Sequence, residues 1–461
     1  MSATSEVAAN GQTPLHCSVR AKIGSALNFE MRIPGRWNGK LHYQGGSGFN
    51  GYVPALEPTS ITALSRGFIT VSSDSGHGGN DLDAGWALDN PDAVAMYGFL
   101  SVPTVMASTL EMIKSTYGSA PARSYFEGCS NGGREGLASA QRYPALFNGI
   151  IARAPALSFT ASTGAYQRNA RAVSAPGGAL SSGKLSLLSN AVLAACDGND
   201  GVNDGVVSHL AACTFNAQTL RCAGGGDAGD SCLSDAQLAT VNAVTTPAEY
   251  ANGAFRSTGW ALTGNENIGE TWSSWITRQA SLQFRFLDAT IKYLVARNPS
   301  ADSLAYDYNN NPSALARVAA AIDATSTDLR PYANRGGKLI LWHGASDAAL
   351  SYKTTTEYYQ GVIAAVGSQG NADAFARYYV APGVAHCGGG PGADNVDLLA
   401  ALDGWVSNNT GPGDLGASRV VDGGTESSRP LCRFPQYPRY TGPVNDGGAA
   451  RLAANYICTS P

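Results

Sequence analysis

Short apolar runs alternate along the chain with longer stretches of helical spacing. Residues 27–34 and 40–44 read as strands, joined around Trp37-Asn38-Gly39 in a hairpin-like start. Residues 67–73 (GFITVSS) form another buried run. Residues 92–117 place apolar side chains at helical spacing, with Pro103 kinking or dividing the segment. The β-prone run Arg123-Ser124-Tyr125-Phe126-Glu127 then turns through glycines into a helix, and residues 149–155 (GIIARAP) supply the next strand. Strands alternating with helices predict an α/β fold, a mostly parallel sheet with helices on both faces. The rhythm breaks after Pro155 and resumes at 338–342 (KLILW), followed by a helix near 352–366, a strand at 376–380 and a helix near 394–406. The expected organisation is therefore a core in two parts, 1–155 and 331–461, with residues 156–330 inserted between them as a lid.

Composition narrows the class. The 461 residues are 44% hydrophobic and 14% charged, enough for one large domain with a substantial insertion. Net charge is −4 and the 31 basic residues are scattered without a run, so nucleic acid and anionic membrane surfaces are not expected partners. No stretch of continuous apolar residues is long enough to predict a membrane span. The nine cysteines include no C-x-x-C pair, which favours disulfides over zinc and hence a secreted or periplasmic protein. The first residues, Met1 to Glu6, lack the basic and apolar regions of an export signal. An odd count leaves at least one thiol unpaired; Cys432 and Cys458 are placed to close a C-terminal loop.

The densest chemistry lies at Gly128-Cys129-Ser130-Asn131-Gly132-Gly133-Arg134. A serine at the apex of a strand-turn-helix, flanked by small residues, is a nucleophile elbow, and Ser130 is the candidate nucleophile. A hydroxyl at neutral pH needs a base and a carboxylate to orient that base, which in α/β-hydrolases follow in the order acid, then histidine. Asp347, just beyond the strand at 338–342, fits the acid, and His386, beyond the strand at 376–380, fits the base; His343 reads as a structural residue of the acid turn. The glycine-rich loop 45–51 follows an early strand, where Gly48 can supply one oxyanion amide and Asn131 the other. Cys129 precedes the serine and Cys387 follows the histidine. If the triad forms, these two meet, and a bridge would tie the elbow to the histidine loop, worth roughly 5 kcal/mol at most by chain entropy.

Cys-Ser, Asp and His-Cys in this order, within GCSNGGR and HCGGGPG, resemble the tannase and feruloyl esterase family along nearly the whole chain. The resemblance implies an α/β-hydrolase core with a lid over aromatic carboxylic esters, an acyl-enzyme route, and a Cys129–Cys387 bridge beneath the triad. In the lid, Asp197, Asp200 and Asp204 are spaced by glycines and short residues in a loop that suits calcium but lacks the closing glutamate of an EF-hand. By resemblance, the calcium ligands are those three side chains with the carbonyls of Val202 and Val206, the ion is structural, and Cys196 with Cys213 and Cys222 with Cys232 are staples. Trp260, Trp272, Trp275, Arg278, Phe284, Arg285 and Phe286 concentrate aromatics and cations late in the lid. Of these, Trp260, Trp272, Arg278 and Arg285 are the candidate substrate contacts, the arginines for a free carboxylate on the acyl group. The expected substrate is a small aromatic ester of feruloyl or galloyl type, with terephthalate half-esters or other non-phenolic esters as the alternative. An inert, calcium-stapled binding module is the reading from another class. Cys17 departs from the family in having no early partner and is expected to be unpaired.

Overall fold

Five adjoining strands whose residues are nearly all buried form the centre of the molecule. The computed structural model describes residues 3–461 apart from 12, 270 and 445. In chain order the strands are β1 (Ala3–Val7), β2 (His16–Ile23), β3 (Leu27–Pro34), β4 (Lys40–Gln44), β5 (Ile69–Ser73), β6 (Arg123–Cys129), β7 (Gly149–Arg153), a lid hairpin β8 (Ala248–Tyr250) and β9 (Phe255–Ser257), then β10 (Lys338–Gly344) and β11 (Ala376–Ala381). Nine of them make one sheet in the order β1-β2-β3-β5-β4-β6-β7-β10-β11. The pairs from β5 through β4, β6, β7 and β10 to β11 are parallel, and β1, β2, β3 and β5 pair antiparallel.

Alternation along the strands divides the side chains between two helical layers. Phe126, Ile150, Leu339 and Leu341 face one core shared with Val102, Val105, Met106 and Tyr359. Their neighbours Tyr125, Ile151, Ile340 and Trp342 face the other, with Leu398, Leu402 and Trp405. Runs apolar on both faces are the mark of a parallel sheet covered on both sides.

Two expectations are corrected. β3 and β4 are strands but do not form a hairpin: β5 lies between them, antiparallel to β3 and parallel to β4. The Trp37 turn instead lets the chain step over one strand, with Trp37 Nε1 donating to the Lys40 carbonyl at 2.8 Å. The segment beginning at residue 91 is continuous: α2 (Pro91–Ala95), a π-helical turn at Met96–Leu100 and α3 (Ser101–Tyr117). Pro103 has no N–H to donate to the preceding turn, and the ladder widens into that π turn just ahead of it rather than breaking. By length and composition this 27-residue helix is apolar enough to cross a membrane, yet Val102, Val105, Met106, Thr109 and Ile113 are buried in the protein. Finally, the residues beyond the helix Leu398–Asn408 do not extend the core sheet. They form two antiparallel ladders, β12 (Leu415–Val421) with β13 (Gly424–Leu431) and β14 (Tyr437–Tyr440) with β15 (Tyr456–Thr459).

Residues 156–330 add no strand to the large sheet. Their helices bury Leu188, Val192, Val241, Ile276, Leu287 and Leu315 in a separate cluster that extends into the core through Phe49 and Tyr97. Four disulfides are present: Cys129–Cys387, Cys196–Cys213, Cys222–Cys232 and Cys432–Cys458; Cys17, half-buried on β2, is free.

Candidate active site

β6 ends at Cys129, and Asn131 begins the helix α4 (Asn131–Arg142), so one residue carries the whole reversal. That residue is Ser130, with φ 59° and ψ −119°, a conformation a non-glycine residue adopts only when its surroundings enforce it. Its N–H donates to the Arg153 carbonyl at 3.1 Å, and its carbonyl accepts from Arg134 at 3.1 Å and Ala156 at 3.0 Å. The elbow also requires close backbone approach. A Cβ on Gly132 would lie 2.7 Å from the Gly46 carbonyl, which explains glycine there.

The sheet edge brings Asp347 and His386 together. Asp347 follows β10, is buried, and places Oδ2 2.7 Å from His386 Nδ1. Its Oδ1 accepts from the amides of Ala349 at 2.8 Å and Leu350 at 2.9 Å. His343 contacts the same Oδ2 at 3.1 Å, and its other ring nitrogen meets Thr355 Oγ1 at 2.8 Å. Burial opposes ionisation of Asp347, but His386 and the hydrogen bond from His343 outweigh it and hold the carboxyl well below its ordinary range. The Cys129–Cys387 disulfide joins the residue before the serine to the residue after the histidine, with Cα atoms 5.9 Å apart.

Helix α4 also anchors the glycine loop opposite. Glu135, buried, accepts from the Gly46 amide at 2.9 Å through Oε2, and from Ser75 Oγ at 3.1 Å and Asn131 Nδ2 at 3.3 Å through Oε1. Burial raises its carboxyl above the usual value. Arg134, fully buried, donates to Asn131 Oδ1 at 2.6 Å and to the carbonyls of Tyr97, Gly98 and Ile322. It thereby pins the elbow helix to the π turn and to the end of the lid. Asn131 is the first residue of α4, so its amide has no intrahelical acceptor. Gly48 has φ +46°, and a Cβ there would lie 2.3 Å from the Asp81 carbonyl.

Two spaces meet at Ser130. A narrow slot runs past Gly48 and Asn131 between Tyr97, Phe159, Tyr166 and Phe286. A larger cavity of about 630 Å³ opens beside His386 and carries Glu57, Asp81, Glu127, Arg153 and Asp394 on its walls. Trp275 and Phe286 border both, and the Trp275 ring meets the His386 imidazole edge-on at 5.2 Å. Glu127 would be raised by burial, but the Arg153 guanidinium at 2.8 Å and His42 at 3.4 Å keep it below the ordinary range.

The candidate substrate residues of the lid are placed differently from expectation. Trp260 and Trp272 are buried in the lid cluster and line neither space, Trp260 standing behind the slot residue Tyr166 at 6.3 Å between ring centres. Arg278 and Arg285 are exposed and border neither space. Trp275 and Phe286, from the same aromatic cluster, are the ones at the site. Tyr97, Phe159 and Tyr166 had no chemical signature in the sequence; only the fold brings them to Ser130.

In the lid loop, Asp197 and Asp200 are buried. Asp197 Oδ2 accepts from the Gly205 amide at 2.8 Å, while Oδ1 is buried without a partner. Asp200 accepts from the amides of Val202 at 3.2 Å and Ser208 at 3.3 Å, and burial pushes its carboxyl up to about 6. An orphaned carboxylate oxygen beside a second desolvated carboxylate fits a hard cation. Asp204 is turned toward the tail, accepting from Arg429 and, at 3.0 Å, from Tyr456. The three aspartates do not draw one oxygen each within 4.8 Å of one another among the described residues. The cluster of ligand-type atoms that does converge, Asp414 with Cys432 and Cys458, has both sulfurs committed to a disulfide.

Comparison with known proteins agrees with this architecture. The chain is 32% identical to the mono(2-hydroxyethyl) terephthalate hydrolase of Piscinibacter sakaiensis, over 97% of this chain and 85% of that protein. It is 26% identical to a probable feruloyl esterase B-2 of Aspergillus terreus, over 93% of this chain and 83% of the relative. The crystal structure of feruloyl esterase B from Aspergillus oryzae superposes with a TM-score of 0.84 at 25% identity, covering 96% of this chain and 89% of that one. The family model for tannase and feruloyl esterase matches residues 12–459. With that match spanning the sheet, the elbow, the lid and the tail, the chain belongs to the tannase and feruloyl esterase family and is a carboxylic ester hydrolase.

Proposed function

We propose that the protein hydrolyses esters of small aromatic carboxylic acids through a serine acyl-enzyme, and that the acyl group is of feruloyl or galloyl type. Ser130 Oγ attacks the ester carbonyl while His386 takes its proton. Asp347 holds the imidazole and favours its charged form, and the amides of Gly48 and Asn131 receive the oxyanion. His386 then protonates the departing alcohol, and water, activated by the same imidazole, releases the acid. The observation that carries this reading is the Asp347–His386 contact of 2.7 Å on a loop covalently tied to the elbow serine. The aromatic walls of the slot suit a planar acyl group.

The second reading, a terephthalate half-ester hydrolase, is favoured by the 32% identity to the Piscinibacter protein. Against it stands the slot itself, whose lining among the described residues includes no arginine or lysine to receive a second carboxylate. Asp197 and Asp200, with the carbonyls of Val202 and Val206, are the residues that would hold a structural calcium ion, and Asp204 would join them only by leaving Arg429 and Tyr456; bound there, the ion would neutralise buried carboxylates and brace the lid. Four disulfides support an extracellular or periplasmic setting.

Release of ferulic, gallic or terephthalic acid from simple esters tests the activity and ranks the acyl groups. Ser130→Ala should abolish turnover while leaving the thermal midpoint within a few degrees of wild type; wild-type turnover in that variant would remove the mechanism.

A further inference from the structure

The two spaces at Ser130 differ in which catalytic group they contain, and that difference assigns them. The imidazole that accepts the serine proton returns it to the oxygen of the departing alcohol, so the alcohol must lie on the histidine side. His386 lines the larger cavity and not the slot; Asn131 lines the slot and not the larger cavity. The acyl group therefore occupies the aromatic slot, and the alcohol occupies the larger cavity.

The alcohol side is acidic. Of its five charged wall residues besides His386, Glu127 and Arg153 pair with each other at 2.8 Å and cancel. Glu57, Asp81 and Asp394 remain, none in a close ion pair among the described residues, with Arg153 and His42 acting on Glu57 only from a distance. Among the described residues the Asp81 carboxylate accepts from hydroxyls, those of Ser47 at 2.7 Å and Tyr52 at 2.9 Å. Asp394 accepts from the Gly389 amide at 2.8 Å. Three carboxylates around one concave, partly apolar space focus a negative potential where the alcohol enters and leaves.

Resting on the esterase reading above, we infer that this cavity selects the alcohol by charge: esters of cationic or neutral alcohols are accepted, and esters whose alcohol carries a carboxylate are rejected. The chemistry is unchanged across such a series. The ester C–O bond breaks as the Ser130 Oγ–acyl bond forms, and the proton passes through His386 to the alcohol oxygen. Only the alcohol's charge meets the Glu57–Asp81–Asp394 wall.

The test uses the full chain and three benzoate esters: ethyl, 2-(trimethylammonio)ethyl and carboxymethyl. Each kcat/KM is divided by the same ester's rate of hydroxide hydrolysis, which removes leaving-group reactivity. At low ionic strength the expected order is cationic, then neutral, then anionic, with about tenfold between the extremes. Added salt at about 0.5 M should compress that span, since the Debye length shrinks to a few ångströms. Glu57→Gln, which removes one of the three carboxylates, should reduce the cationic-to-anionic ratio about twofold to threefold. Equal corrected rates, a reversed order, or a ratio untouched by both salt and Glu57→Gln would overturn the inference while hydrolysis of the ethyl ester upheld the esterase reading. Failure to hydrolyse even the ethyl ester would instead remove the reading on which it rests.

Discussion

Asp347 Oδ2 is shared by two imidazoles, 2.7 Å from His386 and 3.1 Å from His343, and its other oxygen is filled by two amides. A carboxylate so surrounded fixes the orientation of the His386 ring and also stabilises the fold. Asp347→Asn should keep the loop in place through the amide contacts yet present the wrong partner to Nδ1, lowering kcat by about 10³–10⁴-fold with little change in KM. The same variant has a pH signature. Because the folded-state carboxyl lies below its unfolded value, its stabilising contribution is complete above about pH 4 and is lost as pH falls through the lower folded value. The stability gap between wild type and Asp347→Asn, measured by urea unfolding, should therefore be largest near neutral pH and narrow below about pH 4. A gap that widened in acid would contradict the assigned sign. Asp347 and His386, which the structure brings together, were both picked out by chain order. Their chemistry is rare, and each stands just after an apolar strand.

At the scale of elements, the elbow and the glycine loop form one device, and Glu135 joins them. One carboxylate receives the Gly46 amide from the loop and the Asn131 side chain from the helix. Glu135→Gln retains the shape but makes one terminal atom a donor, which faces donors on both sides. The loop carrying Gly48 should shift, and kcat should fall about tenfold while KM stays within about twofold. Stability should move the other way with pH. Burial holds the Glu135 carboxyl above its ordinary value, so its contribution is favourable below about pH 4 and is lost as pH rises. The Gln variant should thus gain relative to wild type on the alkaline side, and a kcat unchanged in a folded variant would show that Glu135 does not position the loop. The elbow and most strands were readable because their residue patterns are local. The insertion of β5 between β3 and β4 was not, because strand order depends on which buried edges pair across the sheet, and no single segment records that. The same limit explains the lid: Trp260, Trp272 and Trp275 are alike in sequence, and only packing decides that the first two are core and the third borders His386.

For the whole molecule, covalent staples span very different lengths of chain, and a bound calcium ion in the lid loop would add an ionic one. If that loop, whose Asp197 Oδ1 has no partner among the described residues, holds calcium, chelation with EGTA should lower the thermal midpoint and added calcium should restore it, whereas a midpoint indifferent to both would leave the loop metal-free. The Cys129–Cys387 bridge is the longer staple, with a sequence separation of 258 against 10 for Cys222–Cys232. Chain entropy alone predicts losses of about 5 and about 3 kcal/mol when each pair is replaced by serines. Position adds a second difference. Cys222–Cys232 fastens a loop of the lid, while Cys129–Cys387 fastens the residue before Ser130 to the residue after His386. Replacing Cys129 and Cys387 together should cost more stability than replacing Cys222 and Cys232, and should also lower kcat in the protein that remains folded, because the covalent tie between the His386 loop and the elbow is then gone and noncovalent contacts such as those with Asp347 and Trp275 must hold it. Urea unfolding read beside kcat for the two double variants separates these effects. Equal losses of stability with kcat preserved in both would mean that the bridge closes the chain without setting the distance between serine and histidine.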